Sequence, residues 1–147
     1  MSFSCLPIHL VFSTKYRKPW LTPELRARVF PYINGIIQQM HGKVYIINGL
    51  YDHAHIFGGL PPTIAPADAV KTIKANSSKW IHEQGLCADF RWQTGYGAFA
   101  IGRTEKEMIY RYVEQQESHH RIVTFQDEFL KLLDEYDVDY DPRYVFD

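Results

Sequence analysis

The sequence predicts an α+β fold, namely a ferredoxin-like βαββαβ antiparallel sheet with helices on one face and added helices at the C-terminus. Hydrophobic periodicity gives the order strand, helix, strand, strand, helix, strand up to position 101. Glycines and prolines separate these segments, and no internal repeat or second domain appears. A length of 147 residues, 46% of them hydrophobic, suits one well-packed domain spanning residues 1–147.

The first strand and the first helix have clear signals. Residues 6–12 (LPIHLVF) predict a strand. Thr22 suits a helix N-cap, and Pro23 suits the first helical position after it. Apolar residues then recur at helical spacing and mark a buried face: Leu25, Val29, Ile33, Ile36, Ile37 and Met40. We expect this helix to end near residues 41–42.

Two strands and a second helix follow. The strands are predicted from Lys43 to about Leu50 and, after a tight turn at residues 51–52, onward to Leu60. A proline-rich loop leads to a helix over residues 67–84. Its predicted inward positions are Val70, Ile73, Ser77, Trp80 and Ile81, and its predicted solvated lysines are Lys71, Lys74 and Lys79.

The last third of the chain predicts one more strand and two helices. Residues 94–101 form an aromatic, glycine-punctuated strand, and glycine inside a strand indicates a bulge or a close backbone approach. Residues 104–107 (TEKE) fit a capping box, so a third helix is expected from there to about residue 119. A final amphipathic helix is predicted over residues 125–136. An acidic, aromatic tail over residues 137–147 ends the chain.

Composition narrows the class of protein. The two cysteines lack CxxC spacing, which argues against a disulfide framework or a thiolate zinc site. No stretch resembles a secretion signal or a membrane span, so a soluble, cytoplasmic protein is expected. Charge is uneven: residues 1–125 carry 14 Lys/Arg against 9 Asp/Glu, whereas residues 126–147 carry 2 against 8. A mildly basic body therefore precedes an acidic C-terminal helix and tail.

The most informative motif is the His-x-His of His53 and His55. In an extended strand, successive side chains point to opposite faces, so both imidazoles stand on one face while Ala54 points away. Neutral imidazole is a common ligand of divalent metals, and a carboxylate or amide oxygen from another element would complete a site. The alternative is a hairpin whose polar face carries two histidines by chance.

The third helix offers the groups that chemistry at such a site needs. Tyr112 and Gln116 are four residues apart and are therefore neighbours on one helical face. The unperturbed pKa of a phenol is about 10, so a metal or a general base must activate it. The alternative is an ordinary half-buried tyrosine beside a surface amide. Other polar groups nearby are Tyr110, Glu114, Gln115, His119 and His120, and composition alone does not choose among them.

Basic side chains indicate two possible contacts with nucleic acid. The loop over residues 13–20 interleaves Lys15, Arg17 and Lys18 with aromatic residues, which suits phosphate contact together with base stacking. It is equally compatible with a solvated loop whose Trp20 packs into the core. The lysines of the second helix form a soluble face that could also follow a phosphodiester backbone.

A family resemblance joins these features. The segments DHAHIFGGL, FRWQTGYGAFAIG, YRYVEQQESHH and TFQDEFLKLLDEYDVDYDPRYVF resemble, in this order, the small HUH-type transposases that use a single tyrosine. Minimal bacterial insertion sequences that move as single-stranded DNA encode those enzymes. The similarity runs from IHLVFSTKYRKPWL to the C-terminus, so it includes nearly the whole chain.

The resemblance implies a role for each matched residue. His53 and His55 match the histidine pair, Gln116 the third metal ligand, and Tyr112 the nucleophile. Three positions depart from the usual pattern without altering these groups: Ala54, where relatives have a bulkier apolar residue, Ala100, where serine is frequent, and Gln115, where asparagine is frequent.

The implied reaction is metal-assisted transesterification of single-stranded DNA. Mg²⁺ or Mn²⁺ polarises the scissile phosphate, and the tyrosine forms a 5′-phosphotyrosine that a 3′-hydroxyl later reseals. Family members work as homodimers in which the tyrosine helix of one subunit can complete the site of the other, and sequence leaves the cis or trans arrangement open. They recognise DNA hairpins at element ends. Here we expect basic positions to contribute: Lys15, Arg17, Lys18, Lys74 and Lys79.

Two alternatives remain open at this stage. One is a domesticated relative, such as the tyrosine transposases associated with repetitive extragenic palindromes, which acts on dispersed hairpins. The other is a non-catalytic ferredoxin-like module that binds nucleic acid with its sheet and needs neither Tyr112 nor a metal.

Overall fold

A computed structural model describes residues 3–119 and 123–146 and consists of one sheet with helices on both faces. Its strands are β1 (Pro7–Ser13), β2 (Lys43–Gly49), β3 (His53–Gly59) and β4 (Gly97–Ala100). Its α-helices are α1 (Pro23–Gln39), α2 (Pro66–Glu83), α3 (Lys106–Glu114), α4 (Gln116–His119) and α5 (Phe125–Glu135). None of these helices is both long and apolar enough to cross a membrane.

The strand order is β2-β3-β1-β4 with every pair antiparallel, which confirms the predicted ferredoxin-like fold. The central pair β1 and β3 sets the position of the predicted site. Val11 lies opposite His55, and Ser13 lies opposite His53. Because side chains alternate along a strand, these four residues share one face of the sheet.

Helices α1 and α2 cover the other face, which we call the aliphatic face. Thr22 caps α1 as predicted, since its hydroxyl accepts a 3.2 Å hydrogen bond from the amide of Leu25. The predicted buried stripe is confirmed apart from Met40, which is only partly buried. Strand residues of the aliphatic face that join this core are Leu10, Phe12, Ala54 and Ile56.

The added C-terminal helices pack on the opposite face, which we call the histidine face because it carries His9, His53 and His55. Apolar residues of α3 and α5 contribute two smaller clusters that flank the histidines. One cluster consists of Val11, Phe99, Phe125, Phe129, Leu132 and Leu133, and the other of Phe57, Ile101, Ile109 and Val113. The imidazoles are therefore enclosed between the sheet and α5.

The third predicted helix differs from its expected form at both ends. The carboxylate of Glu105 accepts a 3.1 Å bond from the amide of Gly102, so the capping contact begins at Gly102 and not at Thr104. The helix is also broken at Gln115. The Asn48 amide donates 3.0 and 3.1 Å bonds to the carbonyls of Val113 and Glu114, which a continuous helix would use itself.

The last strand is shorter than predicted because Lys74 binds the backbone before it. Its ammonium group donates to the carbonyls of Gln93 at 2.9 Å and of Gly95 at 2.5 Å, so these carbonyls do not join the sheet. It also lies 5.1 Å from the centre of the Phe12 ring. The prediction of a solvated Lys74 is therefore wrong, whereas Lys71 and Lys79 are exposed as expected.

Candidate active site

The two histidines of β3 converge as the strand spacing predicts. Their ring centroids are 5.1 Å apart, and both side chains are fully buried on the histidine face. In each ring one nitrogen contacts a neighbour at the edge of the site, while the other faces a common point beneath α5. The site therefore has two outer contacts and one shared centre.

The outer contact of His53 is a carboxylate. Its Nδ1 lies 2.6 Å from Oδ1 of Asp52, the residue directly before β3. A carboxylate accepts hydrogen bonds, so this contact favours a proton on Nδ1 and makes Nε2 the nitrogen that can act as a ligand. Nε2 lies 3.1 Å from Oε1 of Gln116.

The outer contact of His55 is a third histidine that sequence analysis did not single out. Nδ1 of His55 lies 2.8 Å from Nε2 of His9, which projects from β1. Burial lowers the pKa of His9 to about 3, helped by the nearby His55 and opposed by the charge of Glu128, so His9 is neutral. Nδ1 of His9 has no hydrogen-bond partner within the described part of the chain.

Glu128 on α5 is a candidate site residue that sequence analysis missed. Its side chain is 1% exposed, and its Oε1 lies 3.0 Å from Nε2 of His55 and 3.6 Å from Nε2 of His53. A sequence signal did exist. Glu128 occupies a position on the apolar stripe of α5, between Phe125 and Leu132, where a solvated carboxylate is not expected.

Tyr112 and Gln116 lie beside the histidines although the helix is broken between them. The Tyr112 hydroxyl donates a short hydrogen bond to Oε2 of Glu128, and its ring is 5.7 Å from that of His55. The Gln116 amide donates to the carbonyl of Tyr112 at 3.2 Å. Burial and the charge of Glu128 raise the pKa of Tyr112 above its ordinary value, so the phenol is held protonated.

The donor atoms fit a divalent cation. The ligand atoms of His53, His55 and Glu128 all lie within 4.8 Å of one another. The Gln116 amide oxygen lies at the same centre, 3.1 Å from Nε2 of His53. Two imidazole nitrogens with carboxylate and amide oxygens form a mixed donor set of the kind that holds divalent metals in proteins.

The site is closed in this conformation. His53, His55 and Gln116 are 0% exposed, so a phosphodiester has no direct path to them. A cavity of about 90 Å³ between α3 and α5 reaches Tyr112 and Glu128, and Lys131 also lines it. A groove of about 540 Å³ runs along the outer side of α3 and also reaches Tyr112.

The predicted basic positions divide into two groups. The turn that carries Lys15, Arg17 and Lys18 follows β1 at the end of the sheet where the histidines lie. The Thr14 amide at its start donates a 2.8 Å bond to the carbonyl of Asp52. Lys74 and Lys79 lie on α2, which covers the aliphatic face, so the structure does not bring them to the histidines.

Two other candidates on the third helix lie apart from the centre. Tyr110 and Glu114 line a groove with Tyr45 at the edge of the sheet. His120 lies outside the described residues.

Comparison with known proteins identifies relatives. The family described as "Transposase IS200 like" matches residues 2–116. The ISDra2 transposase TnpA of Deinococcus radiodurans is 24% identical, in an alignment that includes 76% of this chain and 84% of that protein.

Two solved structures share the fold. A putative transposase from Deinococcus radiodurans R1 superposes with a TM-score of 0.63 at 21% identity, covering 78% of this chain and 93% of that one. A REP-associated tyrosine transposase bound to a REP hairpin superposes with a TM-score of 0.62 at 16% identity, covering 96% and 90%.

Proposed function

This chain belongs to the IS200-like transposase family, and from that membership we propose that it cleaves and rejoins single-stranded DNA through a 5′-phosphotyrosine on Tyr112. One observation carries the proposal. A single buried carboxylate, that of Glu128, contacts both the phenol of Tyr112 and Nε2 of His55. The nucleophile and the predicted metal ligands are therefore neighbours in one chain.

The residues that would hold the cation are His53, His55, Gln116 and Glu128. When bound, Mg²⁺ or Mn²⁺ polarises the scissile phosphate and offsets the charge that develops on its oxygens. Asp52 keeps the ring of His53 oriented through its 2.6 Å contact with Nδ1. Glu128 extends the ligand set that family resemblance alone predicts, which had only Gln116 as its oxygen donor.

Tyr112 carries the covalent chemistry. As the phenol gives up its proton, its oxygen forms a bond to phosphorus while the bond from phosphorus to the 3′-oxygen breaks. The leaving 3′-oxygen takes up a proton, so the cut strand has a 3′-hydroxyl at one end and a 5′-phosphotyrosine at the other. The ester retains the energy of the broken bond, so resealing needs no ATP. Because the hydroxyl starts bonded to Glu128, attack requires that this hydrogen bond be exchanged and that α5 give the phosphate room.

The substrate that we propose is single-stranded DNA with a hairpin. The family membership and the hairpin bound by the REP-associated relative support it. We assign phosphate contacts to Lys15, Arg17 and Lys18, since their turn lies at the histidine end of the sheet. A phosphate contact by Lys79 remains a prediction, which requires that the DNA run along α2. Lys74 is the weakest of the five positions because its ammonium group already binds backbone carbonyls.

The decisive experiment compares Tyr112→Phe with the unsubstituted protein on a labelled hairpin oligonucleotide in Mn²⁺. The unsubstituted protein should form a covalent adduct that survives SDS, and Tyr112→Phe should lose it by about 1,000-fold or more. Tyr110→Phe, on the same helix but lining a different groove, is the matched control and should keep the adduct. Equal labelling of Tyr112→Phe would place the nucleophile on another residue, and absence of any adduct with either protein would favour the non-catalytic nucleic-acid-binding module.

The geometry favours an active site in cis, because Tyr112 already contacts Glu128 of its own chain. Mixing Tyr112→Phe with His55→Ala distinguishes the two arrangements. In cis neither variant can supply a complete site, so the mixture should stay inactive. Restored cleavage would show that a homodimer exchanges the tyrosine helix in trans.

A second candidate function is that of a domesticated transposase acting on dispersed palindromes. The REP-associated structure covers 96% of this chain, whereas the Deinococcus radiodurans structure covers 78%, so the former matches more of the chain. The DNA around the gene separates the two functions. Paired subterminal hairpins would indicate a mobile element, and scattered palindromes the domesticated form.

A further inference from the structure

We propose that His9 is a positioning residue for the metal site, one that fixes the orientation and the tautomer of His55. The inference rests on the proposed function, since it concerns the ligand set described above. His9 lies on β1 and does not face the shared centre. It acts through its hydrogen bond to His55.

The contact between the two rings is close and enclosed. Nε2 of His9 lies 2.8 Å from Nδ1 of His55, and the rings stack with centroids 5.0 Å apart at 22°. Both side chains are fully buried. Phe99 and Tyr112 contact the His9 ring from other directions, each at 6.2 Å between centroids. His9 is therefore held against its partner from several sides.

The two ligand histidines show why such a partner is needed. An imidazole that binds a metal through Nε2 carries its proton on Nδ1, and that proton requires an acceptor when the ring is buried. Asp52 provides an acceptor for His53 at 2.6 Å. His55 has no carboxylate at Nδ1, and Nε2 of His9 occupies the equivalent place.

A histidine partner differs from a carboxylate because it can both accept and donate. In the closed conformation Glu128 Oε1 lies 3.0 Å from Nε2 of His55 and favours a proton there, so Nδ1 of His55 accepts from His9. A metal held on Nε2 would require both neutral rings to change tautomer: the His55 proton would pass from Nε2 to Nδ1 and the His9 proton from Nε2 to its own Nδ1, so that Nε2 of His9 becomes the acceptor. His9 therefore serves both states of the site. A buried polar ring that leaves its own Nδ1 without a partner within the described residues is poorly suited to packing alone.

The test measures Mn²⁺ affinity calorimetrically on folded protein, without reference to cleavage. His9→Phe keeps a ring and removes the hydrogen bond, and it should weaken Mn²⁺ binding by about 10- to 100-fold. His9→Gln places an amide near the position of Nε2 and can accept or donate, so it should restore most of the affinity. Phe99→Leu disturbs the packing beside His9 without touching a polar group and should leave the affinity unchanged.

A second measurement needs no substitution. In the Mg²⁺-loaded protein, ¹⁵N NMR should show His55 protonated at Nδ1, with that proton hydrogen-bonded to His9. The proposed role of His9 would be overturned if His55 bound the metal through Nδ1. It would also be overturned if the Nδ1 proton of His55 formed no hydrogen bond to His9.

The outcomes separate this role from the proposed function. Wild-type affinity in a folded His9→Phe would overturn the role of His9 while leaving the metal site intact. Equal losses in His9→Phe, His9→Gln and Phe99→Leu would also overturn it, because packing alone would then explain them. Failure of the unsubstituted protein to bind Mn²⁺ or Mg²⁺ would reject the metal site itself, and the role of His9 with it.

Discussion

The two faces of the sheet use the same strands for opposite purposes. On β3, Ala54 and Ile56 enter the aliphatic core under α1 and α2, while His53 and His55 on the other side form a buried polar centre. Both faces are closed to solvent. Apolar side chains on one face gain stability by leaving water, whereas every polar atom on the other face requires a partner.

The polar groups of the histidine face meet this requirement by contacting one another, except at Nδ1 of His9, which has no hydrogen-bond partner within the described residues. His9 contacts His55, Glu128 contacts His55 and Tyr112, and Gln116 contacts His53. Such a network is rigid, and it is sensitive to the loss of any one member. Stability therefore depends mainly on the aliphatic face, and the proposed chemistry depends on the histidine face. A substitution on one face should change one of these two properties and leave the other largely intact.

The largest effect should come from a truncation on the aliphatic face. Ile33 on α1 is fully buried, and Ile33→Ala leaves a cavity that should cost about 2–5 kcal/mol in the free energy of unfolding. Denaturant unfolding measures this cost. Folded Ile33→Ala should still bind Mn²⁺, because no polar contact changes. Loss of metal binding in the folded variant would contradict the division between faces.

The next effect should come from metal on the histidine face. Mn²⁺ at about 100 times its dissociation constant should raise the free energy of unfolding by about 2.7 kcal/mol, because it binds only the folded site. His55→Ala should lose this stabilisation by Mn²⁺. Ile33→Ala should keep it, although its melting temperature should be lower than that of the unsubstituted protein both with and without Mn²⁺. Thermal unfolding with and without Mn²⁺ measures both. Stabilisation that persists in His55→Ala would place the cation elsewhere.

The smallest effect should come from a matched pair of helix caps. Thr22 caps α1 and Thr124 caps α5, each accepting a 3.2 Å bond from an amide three residues later. Either threonine changed to alanine should cost about 0.5–2 kcal/mol. Only Thr124→Ala should also weaken Mn²⁺ binding, because α5 carries Glu128. Calorimetric titration of both variants measures the contrast, and an equal change in affinity would count against a ligand role for Glu128.

Local patterns predicted much of the fold. The Thr22 cap, the stripe of α1 and the strands around the His-x-His motif depend on neighbouring residues, and the structure confirms them. The predictions failed where distant side chains bind backbone. Asn48 ends α3 early, and Lys74 shortens β4, because each supplies hydrogen bonds that the local pattern does not contain.

The site follows the same division. Alternation along β3 placed His53 and His55 together, and helical spacing together with the family resemblance placed Tyr112 beside Gln116. No spacing relates Glu128 or His9 to these residues, since they come from α5 and β1, 73 and 46 positions away from His55. Glu128 was visible only as a charge on an apolar stripe.

The sequence by itself determined the side-chain periodicity of each strand and each helix. It therefore determined which residues share a face of one element, because that depends only on residues a few positions apart. Only the tertiary structure decided which faces meet. Packing α5 over the histidine face brought Glu128 to Tyr112 and His55, and pairing β1 with β3 brought His9 to His55. Contacts between distant segments arise when separate elements bury their apolar surfaces together, and no local pattern encodes the partner.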